Sequence, residues 1–101
     1  MSFVKVASAK DLGSGKMVGV KAGDEGILVV NLEGRYYAIG NRCTHAGCTL
    51  SGGELRGGVV ECPRHDSQFD VKTGRVVGGP AQKPEPLFKL KVEGDQISVS
   101  I

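Results

Sequence analysis

Asn41-Arg42-Cys43-Thr44-His45-Ala46-Gly47-Cys48 and, further along, Cys62-Pro63-Arg64-His65-Asp66-Ser67-Gln68-Phe69-Asp70 hold both histidines and all three cysteines of the chain. Sixteen residues separate His45 from Cys62. Each half is built alike: a cysteine, a short spacer, then a histidine. Two mixed pairs of this kind suit a metal centre with sulfur and nitrogen ligands. Three cysteines cannot all pair within one chain, and two of them stand at ligand spacing with histidines. Metal is therefore a better reading than a disulfide framework.

The sequence around this stretch reads as a small β scaffold. Phe3 to Val6 alternates apolar and polar residues, and Ser8 to Leu12 is a turn or a single helical turn. Lys16 to Val20, Ile27 to Leu32 and Arg35 to Ile39 are strand candidates, the last two joined at Glu33-Gly34 as a hairpin. Glu54 to Gly58 is a turn region, followed by short strands at Val59 to Glu61, Phe69 to Val71 and Arg75 to Val77. Gly78 to Pro86 carries three of the four prolines and is expected to be irregular. Leu87 to Val92 and Ile97 to Ile101 alternate around Glu93-Gly94-Asp95 and should close a hairpin. No stretch sustains a helical period. Many short strands with glycine turns, 16 glycines in all, indicate an all-β antiparallel sandwich or partial barrel. At 101 residues the chain is one domain, 1–101, and so small a core benefits from a metal staple. The block from about 40 to 80 looks like a small subdomain inserted between two groups of strands.

Composition narrows the function. The net charge is +2, with Lys and Arg scattered among Asp and Glu. No basic stripe interleaved with aromatics is present, so nucleic acid is not an expected partner. The longest purely apolar run, Ile27 to Val30, is far too short to span a bilayer. The first residues lack the apolar core of a signal peptide. A cytoplasmic monomer away from the membrane is expected.

The ligand chemistry depends on which residues share a metal atom. All four on one ion would make a tetrahedral zinc site, although such sites usually pair C-x2–4-C with H-x3–5-H. Cysteines on one iron and histidines on another would make a [2Fe–2S] cluster with mixed ligation. The loops resemble those of the Rieske family. Cys43-Thr44-His45-Ala46-Gly47 looks like its first loop, and Cys62 to Asp70 with Thr73-Gly74 like its second. Gly79-Pro80-Ala81 resembles the proline loop that covers the cluster.

The resemblance implies a fold and a set of roles. The fold would be a β-sandwich or partial-barrel base carrying a cluster-binding subdomain of two loops. Cys43 and Cys62 would hold an inner iron as thiolates. His45 and His65 would hold an outer iron through imidazole nitrogens. Ser67 would donate to sulfur, and Pro80 would cover the cluster. Phe69 stands where high-potential members have a tyrosine donor. Cys48 matches one half of their inter-loop disulfide, but Arg64 stands at the other half, which leaves Cys48 without that partner. Fewer hydrogen bonds to sulfur imply a potential below that of the respiratory members.

The implied function is one-electron transfer by a ferredoxin with one [2Fe-2S] cluster, between a reductase donor and a terminal oxygenase acceptor, without catalysis by the chain itself. The small Rieske-like subunit of a nitrite reductase is the alternative within the family. A structural zinc-binding interaction module is the alternative from another class.

Overall fold

The computed structural model describes residues 3–44, 48–63 and 66–100. Among the described residues ten strands follow in chain order: β1 (Phe3–Ser8), β2 (Lys16–Ala22), β3 (Glu25–Leu32), β4 (Arg35–Gly40), β5 (Glu54–Arg56), β6 (Val59–Glu61), β7 (Gln68–Asp70), β8 (Val76–Gly78), β9 (Leu90–Glu93) and β10 (Gln96–Ser100). They form three antiparallel sheets, ordered β1-β10-β9, β2-β3-β4 and β5-β6-β7-β8.

Strand β3 divides the molecule. Ile27 to Val30 are all fully buried, which explains an apolar run without alternation. Ile27 and Val29 face one core, with Leu12, Ala22, Ala38, Ile97 and Val99. Leu28 and Val30 face another, with Ile39, Leu50, Val60, Phe69, Val71 and the cysteines. A strand covered on both faces has no solvent side to fill with polar residues.

The first core lies between the two three-stranded sheets. These approach each other at β1 with β2 and at β4 with β9. On the β4 side the seam is continued by an Ile39–Leu87 bridge and by the Phe88 N–H donating to the Ala38 carbonyl at 2.9 Å. The base is thus a sheet pair closing toward a barrel, as expected. The small sheet β5–β8 occupies the sequence between β4 and β9 and packs on the second core.

Two details differ from the sequence expectation. Glu54 to Arg56 is a strand rather than part of a turn: Gly57 and Gly58 both adopt positive φ (55° and 85°) and make the tight connection alone, so Arg56 pairs with Val59. Leu87 to Lys89 precedes the ninth strand instead of opening it. There Leu87 points outward, 55% exposed, while Phe88 packs inward. The two prolines just before this segment hold the chain as a strap along β4, with a single bridge in place of a ladder.

Candidate metal centre

Cys43 follows β4 by three residues, and Cys62 follows β6 directly. Each cysteine opens a loop that is closed in the same way. The Cys43 N–H donates to the Cys48 carbonyl at 2.7 Å, and the Cys62 N–H donates to the Ser67 carbonyl at 2.7 Å. Both bonds span five residues. Flanking pairs match as well: Arg42 bridges Thr49, and Glu61 pairs with Gln68. Two equivalent hairpin ends therefore present one cysteine each toward a shared point.

Both cysteines are buried, at 1% and 0% exposure. Their sulfurs and that of Cys48 all lie within 4.8 Å of one another. The structure records Cys48 and Cys62 as a disulfide and Cys43 as the free thiol. This departs from the sequence reading, which leaves Cys48 unpartnered. The two Cα atoms are 7.2 Å apart, wider than the about 4.4–6.8 Å usual for a disulfide. One sulfur cannot serve a disulfide and an iron together. As thiolates, Cys43 and Cys62 are a close, buried pair of soft donors, which is what an iron of the cluster requires. Cys48 is then a third sulfur beside them. His45, Arg64 and His65 lie outside the described residues.

Ser67 is fully buried, and its Oγ accepts from the Ala81 N–H at 3.2 Å. That bond ties the second loop to the segment after β8, and the hydroxyl proton stays available for another acceptor. Gly79 makes the approach possible. Its φ is +80°, and a Cβ there would lie 2.5 Å from the Ser67 Cα. Pro80 is exposed on the same segment. Phe69 is fully buried in the core beneath the loops and offers no donor. Arg42 is exposed beside the first loop.

Sequence reasoning missed three residues that hold the first loop. Asn41 is buried; its Oδ1 accepts from the Ser51 N–H at 2.8 Å, and its Nδ2 donates to Ser51 Oγ at 3.2 Å. Thr44 Oγ1 donates to the Lys83 carbonyl at 2.6 Å, and the Thr44 N–H donates to Glu85 Oε2 at 3.1 Å. Glu85 is 4% exposed. Burial pushes its carboxyl up from 4.5 to about 7, with the Thr44 N–H pulling the other way. The signal available was a lone acid between two prolines, Pro84-Glu85-Pro86, within an otherwise polar loop.

The Rieske [2Fe-2S] domain matches residues 2–94. The chain belongs to the Rieske [2Fe-2S] family. It is 40% identical over 101 residues to the ferredoxin component of biphenyl 2,3-dioxygenase from Rhodococcus jostii (strain RHA1), covering 100% of this chain and 94% of that protein. The ferredoxin of carbazole 1,9a-dioxygenase from Nocardioides aromaticivorans IC177 superposes with a TM-score of 0.94 at 30% identity, covering 99% of this chain and 98% of that one. A ferredoxin–oxygenase complex of carbazole 1,9a-dioxygenase gives a TM-score of 0.91 at 32% identity, covering 97% of this chain and 92% of the matched one. This Rieske protein is a one-electron carrier with one [2Fe-2S] cluster, and it is not itself a catalyst. Among the described residues no helix is long and apolar enough to cross a membrane.

Proposed function

We propose that Cys43 and Cys62 hold one iron of the cluster and that His45 and His65 hold the other. The observation that carries this reading is the matched pair of loops, each opening on a buried cysteine, with the two sulfurs within 4.8 Å. The spacing of the histidines, two and three residues after their cysteines, supports their share of the ligation. When bound, the cluster accepts and returns one electron. The protein residues bury the cysteine side and supply N–H and O–H groups to the loops.

In this reading the chain passes electrons from a reductase to a terminal oxygenase, as a monomer in the cytoplasm. The 40% identity to a dioxygenase ferredoxin component and the likeness to a ferredoxin seated on its oxygenase support that acceptor. Residues 40–80 act as the cluster-binding unit on a base formed by the remaining strands. Exposed Arg42, at the rim of the first loop, suits contact with an acidic patch on a redox partner.

The test is direct. Purified chain should contain two irons and two sulfides, bleach with dithionite, and carry electrons from a flavin reductase to a Rieske oxygenase. His65→Cys should alter the visible spectrum and lower the potential, because an anionic thiolate replaces a neutral imidazole. An unchanged spectrum removes His65 from the ligand set. Elution in a fixed complex with a large reductase would replace the free carrier with a subunit role.

A further inference from the structure

The carboxylate of Glu85 lies buried next to the first ligand loop, and nothing in electron transfer by the four ligands uses it. Among the described residues it has no ion-pair partner. Its recorded side-chain hydrogen bond is the one from the Thr44 N–H at 3.1 Å. Burying a carboxylate for one neutral donor is costly, so its place here calls for a structural reason.

The surroundings place this group with care. The Glu85 N–H donates to the Gly74 carbonyl at 2.8 Å, and the Pro86 carbonyl accepts from the Gly40 N–H at 3.0 Å. A Cβ at Gly40 would lie 2.5 Å from Glu85 Oε1, so the carboxylate rests on bare backbone. Pro84 and Pro86 restrict the chain on both sides. The strap is thus fixed to β4 and to the turn at Gly74, and its one acid is aimed at the peptide that follows Cys43.

That peptide is where the two loops differ. Both ligand cysteines have their own N–H bonded to the carbonyl five residues on. After Cys62 comes Pro63, which has no N–H to satisfy. After Cys43 comes Thr44, whose N–H donates to the buried Glu85 carboxylate. The first loop is therefore tied to an outside group at the position where the second loop has a proline ring.

We propose that Glu85 is the positioning residue of the first ligand loop, its carboxylate holding the Cys43–Thr44 peptide so that Cys43 is presented to the cluster. This rests on the assignment of Cys43 as a ligand. Glu85 acts through the backbone N–H of Thr44.

Glu85→Met and Glu85→Gln separate positioning from mere stability. Met keeps the volume and removes both the acceptor and the buried charge, whereas Gln keeps a carbonyl acceptor. The measurements are loss of cluster absorbance under a chelator and the EPR g-values of the reduced, loaded protein. E85M is expected to lose its cluster about tenfold faster with shifted g-values. E85Q should stay within about twofold of the parent in cluster loss, the amide carbonyl rescuing the bond. In a Thr44→Pro background, which removes the donor, E85M should have no further effect.

Cluster loss and g-values in E85M equal to the parent would overturn the proposal, as would E85Q behaving like E85M. Should E85M fail to fold, E85Q and the T44P pair decide alone. Iron and sulfide content of the parent keeps the two readings apart: a parent without the cluster overturns the ligand assignment and this inference with it, and a loaded parent with an indifferent E85M overturns the inference only.

Discussion

Single side chains decide how strongly the loops are held. Ser67 is the clearest case. Its Oγ is the acceptor for the Ala81 N–H, and both residues are buried. Ser67→Ala should cost about 1–3 kcal/mol in chemical denaturation, since a buried N–H loses its partner. The same change should lower the midpoint potential by about 40 mV, the one-electron equivalent of about 1 kcal/mol lost between oxidation states. A potential that stays put would mean the hydroxyl proton does not reach sulfur. The three cysteines give a second test. Cys48→Ser should keep full iron and sulfide, whereas Cys43→Ser and Cys62→Ser should lose both; iron retained in C62S would make Cys48 the ligand. Of these residues the sequence spacing singled out Cys43 and Cys62, and the structure brings their buried sulfurs within 4.8 Å. Glu85 was not, because its burial comes from Gly40, Thr44 and Gly74, none of them near it in sequence. Glu85 also carries a pH signature. Its raised carboxyl means the folded chain binds this proton more tightly than the unfolded chain. Its contribution to stability is therefore full below pH 4.5, falls as pH rises toward about 7, and is flat above. The melting temperature of the parent should drop across that window more than that of E85Q; parallel curves would contradict the assignment.

Among the elements, β3 offers the sharpest contrast. Ile27 and Leu28 are adjacent, equally buried, and face different cores. Ile27→Ala and Leu28→Ala should each cost about 2–5 kcal/mol. Only Leu28→Ala, on the side of the cysteines, should change the EPR signature of the reduced cluster; identical spectra would deny that the strand separates two cores. Most strands were legible from alternation and turn residues. Strand β5 was not, because four glycines near Glu54 to Arg56 read as turn when only Gly57 and Gly58 make it. The strap was misplaced for the opposite reason. Phe88 and Leu90 both pack inward while Leu87 and Lys89 face out, so the alternation runs on ahead of the strand although the β9 ladder begins only at Leu90.

At the scale of the molecule, the parts of the fold depend on contacts of very different range. The sheet β2-β3-β4 joins neighbours in sequence, and so does the small sheet β5-β6-β7-β8. The sheet β1-β10-β9 does not: Phe3 lies opposite Ser100, so its closure brings together opposite ends of the described chain. Seen as a matter of time, that pairing sets an order of events. A loop of nearly the whole chain closes at a large entropic cost and therefore late. The ligand hairpins, built from local pairings, can form while the first strand still waits for the tenth. The cysteines face the second core, whereas β1 and β10 cover the first, so the ligand loops do not wait on this pairing to receive iron and sulfide.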